Sequence, residues 1–244
     1  MQRTLVSFDT SAVPSSLQSF LREAVFYDSS CSEDARTYLV KGSTDAYLKI
    51  QQAGMLERES RMTEFLHGHR LAPRVLGYAS DGQSDYLLTE AVQGEDGTFA
   101  EHLAEPVRLA RTFGESLRRL HSLSPAGCPF PNRTEELLAA AYAKTGLASF
   151  RDGEPCSSHE VVLHGDYCLP NIIMQNGAFQ AFIDLGSGGV GDRHYDLYLG
   201  IWTLSYNLKT DRYRDEFLDA YGRLDVDLER LTLFEQVVEL GERG

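Results

Sequence analysis

The chain has 244 residues, 42% of them apolar and 10% aromatic, which is enough to bury the core of one large domain or two small ones. Its 36 acidic and 23 basic residues give a formal net charge of −13, which makes a nucleic-acid backbone a poor partner. No run approaches the roughly 18–20 uncharged apolar residues that cross a bilayer, and the first residues lack the layout of a secretory signal. We therefore expect a protein that does not bind membranes. The four cysteines are scattered and show no metal-binding spacing, which predicts free thiols in the cytoplasm.

The first third of the sequence is rich in β-forming residues. Helices are predicted only at residues 14–24 and 55–68, where apolar residues recur three and four positions apart. Strands are predicted at residues 25–27, 36–41, 46–50, 73–78 and 85–90. Turn residues separate these strands, with Asp81-Gly82 between the last two.

Beyond about residue 95 the pattern changes to amphipathic helices. The helix predicted at residues 106–123 places four large apolar side chains on one face: Leu109, Phe113, Leu117 and Leu120. Further helices are predicted at residues 134–145, 211–222 and 227–240, and short strands return between residues 161 and 183. This order predicts an α+β fold with two lobes, residues 1–91 and 92–244, and argues against alternating βαβ units.

A hairpin is predicted around Asn176-Gly177, because a type I′ turn needs a positive φ at both central residues. With this turn, residue 175 faces residue 178 and residue 171 faces residue 182. Asn171 and Asp184 then lie together at the open end of the hairpin, on strands about 4.8 Å apart. Asp166 lies in the loop that enters the same hairpin.

These three side chains suit phosphoryl transfer. Mg²⁺ prefers hard oxygen ligands and is usually held by one or two carboxylates together with nucleotide phosphates and water, so Asn171 and Asp184 are its predicted ligands. Asp166 is left to orient an acceptor hydroxyl and to accept its proton. The spacing from His164 to Asp166 and Asn171 equals that of the protein-kinase catalytic loop, and Asp184 precedes Leu-Gly where protein kinases have Phe-Gly. We expect His164 to be a buried scaffold of the loop.

A kinase also needs a strand lysine at the nucleotide phosphates and a helix glutamate that holds the lysine. Lys49 fits the first requirement. Glu57 and Glu59 both lie early in the following helix, and Glu59 is our choice. Residues 29–34, between the first two of these strands, contain no glycine, so phosphate contact there is assigned to hydroxyl and backbone N–H groups, with Ser32 as the main candidate.

Between about residues 25 and 240 the sequence resembles the aminoglycoside 3′-phosphotransferases, within the wider group of antibiotic and choline kinases. The segments that carry the resemblance are Ala46-Tyr47-Leu48-Lys49, Glu57-Arg58-Glu59, Leu120-His121-Ser122-Leu123, Cys128-Pro129-Phe130, His164-Gly165-Asp166 with Asn171, Ile183-Asp184-Leu185-Gly186 and Asp192-Arg193-His194-Tyr195-Asp196. His-Gly-Asp and Ile-Asp-Leu-Gly are shared across the wider group. Leu-His-Ser-Leu followed by Cys-Pro-Phe is typical of the 3′ branch.

The resemblance implies a bilobal protein-kinase-like fold, with a small β-rich N-terminal lobe and a helical C-terminal lobe. It implies ATP or GTP as phosphoryl donor with Mg²⁺, the pair Lys49 and Glu59 at the phosphates, and the backbone near Ala91 at the purine. It also implies a polycationic aminoglycoside that is phosphorylated at its 3′-hydroxyl and so loses its ribosomal target, which makes the cell resistant. The net charge of −13 either only keeps the protein soluble or attracts such a polycation, and the resemblance favours the second explanation.

The sequence departs from the family in three places. Ser187 stands where the family often has an arginine. The segment between Cys-Pro-Phe and His-Gly-Asp is short, which leaves Asp152 and Glu154 as candidate acceptor-binding acids. The chain does not end in the family's Leu-Leu-Asp-Glu-Phe-Phe pattern, and Glu239 is the candidate that replaces one of its acids.

Two alternatives to an aminoglycoside kinase stay open. The altered C-terminus and the short insert are compatible with a kinase of another small hydroxylated metabolite or antibiotic. A non-catalytic kinase-like binding protein is disfavoured, because such proteins normally lose the residues that occupy positions Lys49, Asp166 and Asp184 here. The sequence does not distinguish ATP from GTP, and a monomer is expected.

Overall fold

A computed structural model describes residues 3–31, 35–147 and 159–242 of the chain. The chain divides into two compact units, Met1–Val92 and Gln93–Gly244. The first unit is built mainly from strands and the second mainly from helices, which confirms the predicted α+β class. Within the described ranges, no helix combines the length and apolar character needed to cross a membrane.

The first unit is organised around a six-stranded antiparallel sheet with the spatial order β1-β2-β3-β4-β6-β5. Its strands are β1 (Thr4–Val6), β2 (Val25–Asp28), β3 (Arg36–Lys41), β4 (Ala46–Gln52), β5 (Val75–Ser80) and β6 (Ser84–Glu90). The helices are α1 (Ser15–Gln18) and α2 (Glu57–Gly68). Val40, Leu48 and Leu88 are fully buried in the core on one side of the sheet. β1 was not predicted, and α1 is shorter than expected: it ends at Gln18, and Glu23, within the predicted range, has a left-handed backbone conformation with φ of 56°.

Asp85 on β6 is a buried carboxylate that fixes the connection from β4 to α2. Its side chain has no solvent exposure. It accepts hydrogen bonds from the backbone N–H groups of Gly54, at 2.8 Å, and Leu56, at 3.0 Å. Leu56 immediately precedes α2, so the carboxylate satisfies one of the backbone donors that a helix start leaves without an intrahelical partner.

The second unit contains two small antiparallel sheets and most of the helices. One sheet has the order β10-β9-β7 and the other pairs β11 with β8. The strands are β7 (Glu95–Asp96), β8 (Glu160–Leu163), β9 (Ile172–Gln175), β10 (Ala178–Phe182) and β11 (Gly189–Asp192). The helices are α3 (Ala100–Leu103), α4 (Pro106–His121), α5 (Arg133–Thr145), α6 (His194–Leu208), α7 (Arg214–Tyr221) and α8 (Leu228–Glu242).

Helix α4 forms the centre of the apolar core of the second unit. The four apolar residues predicted for one face of α4, at positions 109, 113, 117 and 120, are all buried, as expected for an amphipathic helix. Helix α6 was not predicted, because tyrosines and β-branched residues mix with leucine along it and hide a single apolar stripe. It is largely buried, and its Gly200 packs against Tyr167 and Phe217.

The predicted hairpin is present, but its register differs at one point. Asn176 and Gly177 have φ of 52° and 73°, as a type I′ turn requires. Residue 178 pairs with residue 175, as predicted, but a bulge at Gln180 shifts the rest of the ladder. Phe182 therefore pairs with Ile172 and not with Asn171, and Asn171 is bonded to Ile183.

We predict that Asp85→Asn destabilises the fold by about 1–3 kcal/mol, because one oxygen, Oδ2, accepts both N–H groups and the amide loses the charge that strengthens these hydrogen bonds. Burial alone raises the pKa of Asp85, but hydrogen bonds from Leu56 and other groups outweigh it, so the folded-state pKa lies below 3.8. Its contribution is therefore present above that pH and is lost as the pH falls through the lowered pKa. Urea unfolding of both proteins checks this: the difference is expected to be large at neutral pH and to shrink in acid, and equal stabilities at neutral pH would contradict it.

Candidate active site

The open end of the β9-β10 hairpin brings Asn171 next to the strand that leads to Asp184. The N–H of Ile183 donates to the carbonyl oxygen of Asn171 at 3.0 Å. Asp184 follows directly and has a left-handed backbone conformation, with φ of 56°. Its side chain is exposed. Because of the bulge, Asn171 lies opposite the residue before Asp184, one position nearer than the sequence alone predicts.

Asp166 and Asn171 are in direct contact. The side-chain amide of Asn171 donates from Nδ2 to Oδ2 of Asp166 at 2.8 Å and to its backbone oxygen at 3.0 Å. Asn171 is buried, whereas Asp166 is exposed. The structure therefore presents a carboxylate to solvent while a buried amide holds it in place.

The remaining oxygen donors fit a magnesium ion. Since Nδ2 of Asn171 faces Asp166, its other amide atom, Oδ1, is a hard oxygen that can serve a cation, and Asp184 supplies an exposed carboxylate. The described part of the chain contains no group of three or more His, Cys, Asp or Glu side chains arranged around a metal. Mg²⁺ does not need such a group, because phosphates and water usually complete its coordination.

Asp196, at the start of α6, holds the loop that carries Asp166. Its side chain has no solvent exposure. Oδ2 accepts the backbone N–H of His164 at 2.7 Å, and Oδ1 accepts that of Gly165 at 2.9 Å. In the sequence, Asp196 stands only as the last residue of a segment shared with the family, and no role was predicted for it. A buried charge must be paired, so a structural role could have been expected, but two of its partners are backbone N–H groups that no motif reveals.

His121, in the Leu-His-Ser-Leu segment, is the side-chain partner of Asp196. Its Nε2 lies 3.2 Å from Oδ2 of Asp196, and its Nδ1 lies 3.0 Å from the Tyr221 hydroxyl. Burial lowers the pKa of His121 although Asp196 opposes this, so the ring is neutral near neutral pH. A neutral ring that donates from Nε2 to the carboxylate and accepts the Tyr221 proton at Nδ1 satisfies both contacts.

His164 is buried, as predicted for a scaffold residue. Its Nδ1 accepts the N–H of Asp166 at 3.3 Å, and its ring packs edge-on against Phe182 and Tyr167. Within the described part of the chain, its Nε2 has no hydrogen-bond partner. The geometry thus gives His164 a role in the shape of the loop.

In the first unit, Lys49 on β4 is paired with Glu59 on α2. The distance from Nζ to Oε2 is 2.8 Å, and the two side chains are 21% and 12% exposed. The structure thus selects Glu59 over Glu57 as the partner of Lys49. Whether the pair binds phosphate stays a prediction.

The other predicted nucleotide contacts are less well placed. The N–H of Ala91 donates to the carbonyl oxygen of Asp45 at 2.9 Å, so this donor is already engaged within the first unit. A backbone contact with a purine near Ala91 must therefore use another group. Ser32 lies outside the described residues.

The predicted acceptor-binding acids are not brought together by the described structure. Asp152 and Glu154 lie outside the described residues. Glu239 is exposed on α8, which packs against α5 through Phe234 and Val237. The structure therefore places one of the three acids.

The chain belongs to the phosphotransferase enzyme family, whose sequence model matches residues 32–234. This range includes Lys49, Glu59, Asp166, Asn171 and Asp184. The family membership inferred from the shared segments is confirmed, and the protein is an enzyme that transfers a phosphoryl group.

Individual relatives indicate which members of the family the chain resembles. A probable aminoglycoside 3′-phosphotransferase of Lactococcus lactis subsp. lactis is 37% identical over 240 residues, which cover 90% of this chain and 92% of the relative. An aminoglycoside 3′-phosphotransferase of Niallia circulans is 31% identical over 214 residues, covering 78% and 82%. The solved aminoglycoside phosphotransferase APH(3″)-Id of Streptomyces rimosus is 23% identical with a TM-score of 0.76, covering 96% of this chain and 99% of that one. This likeness confirms the protein-kinase-like fold. The Streptomyces rimosus protein has also been solved in complex with ADP and streptomycin.

We predict that Gly165→Ala inactivates the enzyme, whereas Gly82→Ala is tolerated. Both glycines have a left-handed φ, of 81° and 88°. An added Cβ at residue 165 would overlap the backbone carbonyl of Ser187, whereas residue 82 has no atom within 4 Å of that position. Gly82→Ala therefore has only the conformational cost of about 1 kcal/mol, and Gly165→Ala also displaces the loop before Asp166.

Thermal unfolding and nucleotide turnover of the two variants check this prediction. Gly82→Ala is the matched control, since it shares the backbone strain without the collision. Equal stability and equal turnover in both variants would show that the loop tolerates a side chain at residue 165.

Proposed function

We propose that this enzyme transfers the terminal phosphoryl group of ATP or GTP to a hydroxyl of an aminoglycoside, the 3′-hydroxyl, and so confers resistance. The observation that carries the proposal is the exposed Asp166 carboxylate, held by Asn171 on a loop that Asp196 fixes. The curated relatives named aminoglycoside 3′-phosphotransferase support this acceptor class and this hydroxyl.

Asp166 is the proposed catalytic residue. Its carboxylate orients the acceptor hydroxyl and receives the proton that the hydroxyl loses when its oxygen bonds to phosphorus and the nucleoside diphosphate departs. Asn171 and Asp184 are the proposed ligands of Mg²⁺, which would neutralise charge on the transferring phosphate. An exposed Asp184 and an amide oxygen on Asn171 leave room for the phosphate oxygens and waters that such an ion also needs.

Lys49, held by Glu59, is the proposed contact to the donor phosphates, with Ser32 as a further one. Because Ala91 uses its N–H internally, the proposed purine contact near it uses neighbouring backbone groups. Backbone N–H and C=O groups are present whatever the residue type, so the residues near Ala91 do not indicate whether ATP or GTP is the donor. Both nucleotides therefore belong in the assay.

The proposed acceptor is a polycation, and the net charge of −13 favours its approach to the protein. Asp152, Glu154 and Glu239 are the proposed acids that bind its ammonium groups. A different small hydroxylated substrate is the second candidate, favoured by the short segment between Cys-Pro-Phe and His-Gly-Asp. We further propose that the enzyme acts as a monomer in the cytoplasm and does not bind nucleic acid.

Nucleotide turnover with a panel of acceptors tests the function. We expect turnover with kanamycin-type aminoglycosides, which carry a 3′-hydroxyl, and none with analogues that lack that hydroxyl. Streptomycin, choline and sugar alcohols complete the panel, each with ATP and with GTP. Turnover only with a non-aminoglycoside would establish the second candidate, and no acceptor-dependent turnover at all would overturn the proposal.

We predict that Asp166→Ala lowers kcat by about 10²–10⁴-fold, because the group that orients the hydroxyl and accepts its proton is removed. Asp211→Ala is the matched control, since Asp211 is an exposed aspartate between α6 and α7. Steady-state rates for both variants, with thermal unfolding to verify the fold, give the comparison. Similar rates in the two variants would exclude Asp166 as the catalytic residue.

We predict that Asp184→Asn raises the Mg²⁺ concentration needed for half-maximal rate and lowers kcat/KM on the order of 10²–10³-fold. The amide keeps the size of the side chain but removes its charge. Asp211→Asn is the control for loss of one surface charge. Magnesium titrations of the rate provide the readout, and an unchanged magnesium dependence in Asp184→Asn would rule out this ligand.

A further inference from the structure

Both carboxylate oxygens of Asp166 have a hydrogen-bond donor. Nδ2 of Asn171 donates to Oδ2 at 2.8 Å, as described above. The thiol of Cys168, two residues further on, donates to Oδ1 at 3.4 Å, a normal distance for a hydrogen bond from sulfur. No role was predicted for Cys168, because the kinase catalytic-loop pattern does not specify a thiol at this position.

A second donor matters because Asp166 is exposed. A solvent-facing aspartate normally rotates among staggered side-chain conformers, and its carboxylate turns readily about the last bond. One hydrogen bond leaves rotation about that contact free, whereas donors on both oxygens fix the plane of the carboxylate. A base that must meet a hydroxyl within hydrogen-bond distance gains rate from such a fixed orientation.

The thiol is itself held by the backbone around it. The N–H of Cys168 donates to the Asp166 carbonyl at 2.9 Å, and its carbonyl accepts the N–H of Asn171 at 3.0 Å. The next residue, Leu169, donates its N–H to the Thr203 hydroxyl at 3.2 Å, and Thr203 on α6 is 1% exposed. Helix α6 thus anchors the loop a second time, two turns after Asp196 on the same helix face.

Cys168 carries its proton in this setting. Burial raises the pKa of the thiol, and the neighbouring charge of Asp166 raises it further. A protonated thiol can donate to a carboxylate, and the described structure pairs it in no disulfide. These properties suit a hydrogen-bond donor and argue against a nucleophile.

We propose that Cys168 is a positioning residue of the phosphoryl-transfer centre, whose thiol holds the Asp166 carboxylate in the orientation that Asn171 alone does not fix. The inference rests on the proposed role of Asp166. The inference predicts an effect on kcat and not on substrate affinity, because the thiol orients the proposed base, Asp166. Thr203, through the Leu169 N–H, keeps the loop that bears the thiol in place.

Two substitutions that remove similar volume test the inference. Cys168→Ala removes the donor, and Cys168→Ser keeps one. We expect Cys168→Ala to lower kcat about three- to tenfold, with the KM values for nucleotide and acceptor within about twofold of wild type. Cys168→Ser is expected to retain most of kcat. Asp166→Ala is measured in parallel.

A second pair of variants controls for loss of packing. Cys168→Val and Cys168→Thr have nearly the same shape and differ in a methyl against a hydroxyl, so the threonine variant is expected to be the faster of the two. Thermal unfolding of all four variants verifies the fold. If the donor-bearing and donor-free variants lose the same activity, or if none loses any, Cys168 does not position the base.

These variants distinguish a failure of the proposed role of Asp166 from a failure of the inference about Cys168. An Asp166→Ala protein that retains wild-type kcat would overturn the role of Asp166, and the inference would fall with it. An inactive Asp166→Ala protein beside a fully active Cys168→Ala protein would overturn the inference alone. A change confined to KM in Cys168→Ala would also overturn it, because a thiol that orients the base changes the rate of the chemical step.

Discussion

The buried carboxylate of Asp196 is the constraint on which the loop that carries Asp166 depends. A charged group without solvent exposure is costly unless hydrogen bonds replace its water, and Asp196 receives donors from His164, Gly165 and His121. Two of these donors are consecutive backbone N–H groups, so the carboxylate fixes backbone and not merely side-chain positions. Because an unpaired buried charge is costly, the N–H groups of His164 and Gly165 stay bonded to Asp196, which fixes the position of the residue before Asp166. Helix α6, which begins around this residue, supplies the rigid support.

The two carboxylates proposed for phosphoryl transfer are exposed, whereas the groups that hold the loop of Asp166 are buried. Asp166 and Asp184 face solvent, and Asn171, Asp196 and Thr203 do not. Substrates need access to the carboxylates, and water would weaken the hydrogen bonds of the supports. The chain passes from buried contacts to exposed side chains at Gly165, before Asp166, and at Asp184, two residues after β10, and both residues have left-handed backbone conformations.

The sequence predicted those features that have a local cause. The Asn176-Gly177 turn is specified by its own two residues, and α4 by apolar residues at helical spacing. The bulge at Gln180 could not be predicted, because it reflects how two strands pack and not which residues they contain. Helix α6 was missed because it is buried on most sides and so lacks a single apolar stripe. The roles of Asp85 and Asp196 were also missed, because each accepts backbone N–H groups that are distant in sequence.

Glu239, one of the three proposed acceptor-binding acids, lies apart in sequence from the residues proposed for phosphoryl transfer. Every residue proposed for phosphoryl transfer lies within the family match of residues 32–234, and those around Asp166 are tied together through Asp196. Glu239 lies beyond that match and is exposed on α8, where a substitution leaves the contacts of Asp196 intact. Acids on such a surface can be gained or lost without disturbing the catalytic loop, since exposed charges interact weakly with the core. A change of Glu239 is therefore compatible with an intact phosphoryl-transfer centre, and under the proposed function it bears on which polycation binds and not on whether phosphate is transferred.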